Sequence, residues 1–180
     1  MVGTNYFTKW VKTEPLANIK DVDAKRFIWK NIVTRFWVPR VLISDNGLQF
    51  NSKTFKSYCG ELGITNRYST HAYPQGNRQA KAVNKVIVNG LKKKLDVAMG
   101  KWVEELPYVL WTYRTTSRRS TGETPFSMTY GAETVIPLET GFPTLRSSLF
   151  NPSDNDEHLK RNLNLIGEKR ENAMVQLAYY

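Results

Sequence analysis

The sequence predicts an α/β domain built on a central mixed sheet. Three observations carry this. Short β-branched runs alternate with longer stretches of helical periodicity, in the order strand, helix, strand, helix, strand, helix, helix. The second strand ends at Asp45-Asn46-Gly47, an acid followed by a tight turn, where open α/β sheets present functional groups. With 41% hydrophobic and 12% aromatic residues, the 180 residues suffice for one packed domain and a short appendage.

Residues 4–16 are rich in aromatic and β-branched types (Tyr6, Phe7, Trp10, Val11) and read as a strand or hairpin ending before Pro15. From Asp21 to Trp37, Ala24, Phe27, Ile28, Ile32 and Phe36 recur at helical spacing, and Pro39 stops the helix. Val41–Ile43 reads as a short buried strand. Ser52 caps a helix to about Leu62, which Gly63 ends. Ile64–Ser69 is a further strand, and 70–77 a polar loop. The longest helix runs from Arg78 to about Ala98, with Val83, Val86, Ile87, Leu91 and Leu95 as its apolar stripe. Lys81, Lys85 and Lys92 fall on another of its faces. Trp102–Arg114 is the next helix, and Pro125–Gly131 a last short turn of structure.

These elements make a domain over 1–136. Residues 137–155, with Pro137, Pro143 and Pro152 and little periodicity, read as a linker. A C-terminal helix over 156–180 follows, with Ser153 or Asp154 placed to cap it. Its Leu159, Leu163, Ile166, Arg170, Ala173 and Leu177 step by four and three, and Arg170 breaks the apolar seam.

A net charge of +10 and a pI near 9.7 favour an anionic partner, nucleic acid being the commonest. The single cysteine excludes an internal disulfide, and its place on the apolar side of a helix predicts a buried structural thiol at Cys59. His71 and His158 lack the spacing of zinc ligands. There is neither an apolar run of membrane-spanning length nor a signal-peptide pattern, so an intracellular, soluble protein without a membrane partner is expected, and a nuclear one if DNA is the partner.

Two features bear on chemistry. Asp45, held at a strand end, suits a metal ligand, yet an isolated Ser-Asp-Asn-Gly is more often an Asx turn. The long helix carries Arg78, Lys81, Lys85, Lys92, Lys93 and Lys94, with no acid between Gly76 and Lys94. A charge run is ordinarily a solvated face. This one-sided composition points to phosphate contacts.

Several segments are similar to those of one family: Tyr6-Phe7-Thr8-Lys9-Trp10, Pro39-Arg40-Val41-Leu42-Ile43-Ser44-Asp45-Asn46-Gly47, Pro74-Gln75-Gly76-Asn77, Leu110-Trp111-Thr112-Tyr113-Arg114-Thr115-Thr116 and Thr121-Gly122-Glu123-Thr124-Pro125-Phe126. Over nearly its whole length the chain resembles the integrase catalytic core of plant Ty3/gypsy-type LTR retrotransposon polyproteins, in the retroviral integrase superfamily. The resemblance implies the RNase H-like fold: a five-stranded mixed sheet flanked by helices, here with a truncated first strand, plus a C-terminal helical extension. It implies DNA as partner, and Mg²⁺ or Mn²⁺ pairs that join element ends to target phosphodiesters. It also places the chain's ends inside the first strand and inside a helix that, in the family, leads to a C-terminal DNA-binding domain.

Matched position by position, the family's three acids fall on Asn5, Asp45 and Lys81, the last two separated by 35 residues as in the D,D(35)E pattern. Two divalent ions must sit about 3.5–4 Å apart and take oxygen ligands, carboxylates above all. Asn5 offers one neutral oxygen, and Lys81 puts a cation where a cation binds. Even unit charges about 4 Å apart repel by about 4 kcal/mol at an effective dielectric near 20. Only Asp45 remains as a metal ligand, so DNA joining is expected to be lost while DNA binding persists. The preserved spacing further predicts an ion pair of Lys81 with Asp45. The alternative is a protein-interaction or dominant-negative module, dimerising with itself or with an integrase through helix faces, with little DNA affinity. Two other departures stand out. Arg78 and Trp37 occupy positions that are usually glycine in the family, and Trp37 is expected to carry a strained positive φ at the helix end.

Overall fold

The computed structural model describes residues 1–69, 77–98, 101–134, 136, 142, 144 and 148–179, apart from the side chains of 95–98. By its own contacts the chain divides into two compact units: Met1–Thr4 with Val11–Asn89, and Asn5–Trp10 with Gly90–Tyr180.

The first unit opens with a hairpin. Strand β1 (Val2–Thr4) runs antiparallel to β2 (Val11–Thr13), Val2 opposite Thr13 and Thr4 opposite Val11. The Met1 ammonium donates to the Glu14 carbonyl at 2.6 Å, which extends the pairing beyond the strands. Helix α1 (Asp21–Ile28) follows, its first turn carrying Asp21 and Asp23 where the helix dipole favours acids. The single helix expected to Trp37 is interrupted: Trp29–Val33 is a π-helical turn, and only Thr34–Phe36 (α2) resumes α geometry. Ala24, Phe27 and Ile28 share the buried face of α1, while Trp29, at the start of the π-turn and about 100° further round, lies half exposed. Trp37 ends the segment at φ 73°, ψ 174°, the positive φ expected from the glycine that the resembled family usually carries there.

Strand β3 (Val41–Ser44) lies parallel to β4 (Thr65–Tyr68), with Val41 opposite Thr65 and Ser44 opposite Tyr68. Between them run α3 (Leu48–Asn51) and α4 (Lys53–Glu61). Ser52 caps α4 as predicted, its Oγ accepting the Phe55 N–H at 3.1 Å. The core of this unit is Ala24, Phe27, Ile28, Phe55, Cys59 and Ile64, flanked by Leu42, Phe50 and Leu62. Complete burial of a side chain such as Phe55 contributes about 1.5–3 kcal/mol. Cys59 is 2% exposed, and burial pushes its thiol above the ordinary value, consistent with a structural role.

The five-stranded mixed sheet is not seen. Among the described residues the strands pair as two separate two-stranded sheets, one antiparallel and one parallel. The ladders are three and four residues long, and Val41 and Ile43 on β3 stay more than a third exposed. Strands this short present few ladder bonds to a further neighbour.

Helix α5 (Arg78–Ala98) has the predicted bounds. Val83, Ile87 and Leu91 form its buried stripe, but Val86 is 51% exposed and Leu95 falls outside the described side chains. In the second unit α6 (Trp102–Thr115) and α7 (Pro125–Tyr130) bury Leu106, Leu110, Tyr113 and Met128. Trp10 packs edge-on to Tyr130 with ring centres 5.2 Å apart, and the Arg114 guanidinium stacks 4.6 Å above its ring. A Cβ added at Gly90 would stand 2.8 Å from Val109, so α5 and α6 meet through a bare backbone. Gly131, at φ 79°, supplies the left-handed cap that ends α7.

The expected loop 70–77 lies outside the described residues except for Asn77, as do 137–141, 143 and 145–147 of the expected linker 137–155, whose last residues, 152–155, are helical. The C-terminal helix starts earlier than 156: α8 (Pro152–Asn164) is capped by Asn151, whose Oδ1 accepts the Ser153 N–H at 3.0 Å. Leu165 interrupts the helix before α9 (Ile166–Tyr179). Ala173 is buried, while Leu159 and Leu163 remain exposed, so only the later half of the expected seam packs.

Candidate functional site

Strand β3 delivers Asp45 to the end of the parallel ladder, just past the Ser69 N–H to Ser44 carbonyl bond of 2.9 Å. There the chain turns sharply. The Asp45 Oδ1 accepts the Gly47 N–H at 3.2 Å, and the side chain is exposed. This is the Asx turn that the tetrapeptide suggested, with the second carboxylate oxygen left to solvent.

Asn5 follows β1 in the hairpin loop. Its Oδ1 accepts two backbone donors, Phe7 N–H at 3.0 Å and Thr8 N–H at 2.9 Å. Its own N–H donates to the Trp10 carbonyl at 2.8 Å. A carbonyl oxygen has two lone pairs. Both are directed at the loop, so the one oxygen that Asn5 could give a metal is already engaged. Lys9 closes this loop in the left-handed region at φ 60°, donating to the Tyr6 carbonyl at 2.7 Å, and burial pulls its ammonium below the ordinary value.

Lys81 sits exposed in the first turn of α5. The start of α5 is tied to β1 by Gln79 Nε2 donating to Thr4 Oγ1 at 3.5 Å. The expected ion pair of Lys81 with Asp45 is not formed. Among the described residues the ion pairs are Arg26–Asp23, Lys30–Glu14, Lys94–Glu105 and Lys101–Glu104. Both side chains face water, where pairing gains little over the entropy of fixing two chains. Asn5 belongs to the second unit, Asp45 and Lys81 to the first.

Taken one by one, the three side chains are a carboxylate partly used in a turn, an amide oxygen already twice bonded and an ammonium, of which only the first is a ligand type that Mg²⁺ favours. Among the described residues no group of three His, Cys, Asp or Glu is assembled that could hold a metal.

The basic row of α5 is in place. Arg78, Lys81, Lys85, Lys92, Lys93 and Lys94 are all exposed. Lys94 is the member with an ion-pair partner, Glu105 at 3.6 Å, and it also lies 5.9 Å from the Tyr108 ring centre. A second basic run escapes a reading by periodicity. From Ala24 to Ser44 there are five bases (Lys25, Arg26, Lys30, Arg35, Arg40) and no acid. Arg35, Trp37 and Val38 line, with Val33 and Thr34, a cleft of about 370 Å³. Its signal is the same one-sided composition, masked by the helical spacing that claims the segment. No described helix is long and apolar enough to cross a membrane.

No protein-family model matches the chain. It is 33% identical over 171 residues to the Gag-Pol polyprotein of feline leukemia virus, a match that takes in 94% of the chain and 10% of the polyprotein. It is 32% identical over 142 residues to that of woolly monkey sarcoma virus, covering 78% of the chain and 8% of the polyprotein. The chain thus spans about a tenth of the length of these relatives. Among solved structures, a simian T-cell lymphotropic virus intasome in complex with the PP2A regulatory subunit B56 gamma superposes with a TM-score of 0.63 at 18% identity, over 70% of this chain and 46% of that one. The HTLV-2 integrase catalytic core in complex with magnesium gives 0.58 at 20% identity, over 70% and 80%. The chain is similar to a part of retroviral Gag-Pol polyproteins, and its fold resembles that of an integrase catalytic core.

Proposed function

We propose that this chain is a nucleic-acid-binding domain derived from a retroelement integrase core, of the plant Ty3/gypsy type, that no longer joins DNA. The exposed basic row of α5 carries the reading: five of its six bases have no ion-pair partner among the described residues. Cations left free of internal partners are the groups that release counterions on meeting phosphate. The HTLV-2 core binds magnesium; here Asn5, Asp45 and Lys81 do not offer a comparable ligand set. The domain arrangement expected from the sequence, a core to residue 136 with a helical extension beyond a linker, belongs to this proposal, as does a nuclear site of action.

The test pairs two assays on the full chain. Strand transfer on short duplex DNA with Mg²⁺ or Mn²⁺ is expected to be absent. Duplex binding is expected to persist and to weaken by roughly 100-fold between about 50 and 200 mM salt, the loss for about four phosphate contacts. The Asn5→Asp/Lys81→Glu double variant shows whether two acids restore metal binding. Metal-dependent joining by the unaltered chain would overturn the reading. Absent DNA binding with self-association would favour the dimerising module instead.

A further inference from the structure

Trp37 is held in a backbone conformation that costs it energy, and its side chain gains nothing from the fold. Its φ of 73° with ψ of 174° lies in a region essentially confined to glycine. The indole is nevertheless 87% exposed. A strained residue is ordinarily held there by packing, and here packing supplies no reason. The surroundings give the missing half. Trp37 walls the 370 Å³ cleft together with the apolar faces of Val33 and Val38 and the guanidinium-bearing Arg35. Arg40 follows three residues later, exposed, its carbonyl fixed by the Thr65 N–H at 3.0 Å at the head of the β3–β4 ladder. Neither arginine has an ion-pair partner among the described residues, whereas Arg26 and Lys30 in the same run are paired to Asp23 and Glu14.

We infer that Trp37 is a stacking platform for an unpaired nucleobase, with Arg35 and Arg40 contacting the flanking phosphates of a single strand. The charge of the segment chooses the occupant. An acid-free stretch of 21 residues with two uncommitted guanidiniums complements a polyanion. A flat, solvated indole offers a π-face that any base can use, and the paired bases of a duplex do not expose theirs. A second copy of this chain would bring more positive charge to the same surface. The site is separate from the basic row of α5 and does not need that row to be correct.

The test measures binding of a fluorescein-labelled decathymidylate to the full chain, beside a duplex of the same length, for the wild type, Trp37→Gly, Trp37→Phe and Arg35→Gln/Arg40→Gln. Trp37→Gly suits the backbone, so a melting temperature at or above that of the wild type shows that the variant folds. It is expected to lose about 5- to 150-fold in single-strand affinity, the range for one stacked base, with duplex affinity unchanged within about twofold. Trp37→Phe restores most of the affinity, and the double arginine variant weakens single-strand binding and flattens its salt dependence. Lys81→Gln/Lys85→Gln is expected to weaken duplex binding instead, which separates the two surfaces. Equal single-strand affinity in the wild type and Trp37→Gly overturns the inference, as does a wild type that does not bind the oligonucleotide. So does sedimentation showing a dimer that Trp37→Gly dissociates without changing oligonucleotide binding.

Discussion

Arg170 on α9 closes the C-terminal end of α7: its Nε donates to the Met128 carbonyl at 3.0 Å, and a terminal guanidinium nitrogen reaches the Thr129 carbonyl at 3.5 Å. Lys169 beside it reaches the Gly131 carbonyl at 3.4 Å. Two cations thus answer carbonyls that the short helix leaves unbonded, at the negative end of its dipole. In the sequence Arg170 reads as the flaw in an apolar seam. In the structure it is the residue by which the helix docks.

Arg170→Leu would complete that seam and is expected to destabilise the protein by about 1–2 kcal/mol, since charge-assisted hydrogen bonds to half-buried carbonyls are lost. Urea unfolding measures the loss, and limited proteolysis should cut α9 earlier than in the wild type. Unchanged or increased stability would mean that apolar packing, not the carbonyl cap, holds the helix.

Ser52 joins two helices: its Oγ accepts from Phe55 N–H at the start of α4 and donates to Asp21 Oδ2 at 3.1 Å at the start of α1. The Ser52 hydroxyl, with smaller help from the Val22 N–H, holds the Asp21 carboxyl below the usual carboxylate range. A carboxyl depressed in the folded state contributes stability above its unfolded value, and that contribution fades as pH falls through the folded one. Ser52→Ala is expected to cost about 0.5–2 kcal/mol as a lost cap. Its deficit relative to wild type should shrink at the acid end of a pH series of melting curves. A deficit that grows with acidity would reverse the assignment.

Lys81→Glu tests the site from the other side. With no ion pair between Lys81 and Asp45 and with both side chains exposed, the change is expected to alter stability by less than about 0.5 kcal/mol in metal-free buffer. If the basic row of α5 meets phosphate as proposed, duplex affinity should fall, because one of its charges is inverted. A destabilisation of several kcal/mol, read by chemical denaturation, would reveal a carboxylate–ammonium contact after all.

What the sequence discloses depends on the range of the interaction. Ser52 as a cap and Gly63 as a helix stop are settled within a few residues and are legible in the order of amino acids alone, whereas the strain at Trp37 is expected only from the glycine that the resembled family carries there. The π-helical turn at Trp29–Val33 is not legible, because it shifts helical phase without breaking the apolar spacing on either side. Nor is the fate of the sheet, which rests on ladder partners far apart in the chain. At the site, Asn5, Asp45 and Lys81 are singled out only by the resemblance to an integrase core, whose three acids they are matched to. That Asn5 turns its oxygen onto Phe7 and Thr8 cannot be read from the sequence, since an Asx turn and a metal ligand ask for the same residue.

Gly90 and Lys81 lie on one helix and stand at opposite extremes of tolerance. A methyl group at position 90 would stand 2.8 Å from a Val109 methyl, so a replacement there forces that side chain or the helix backbone to shift and is felt by folding itself. Replacement of the exposed group at position 81 passes without such resistance. Mutational drift can therefore extinguish the chemistry of this fold while leaving its architecture intact. A screen that scores only expression and solubility would then rank an active and a silent copy alike.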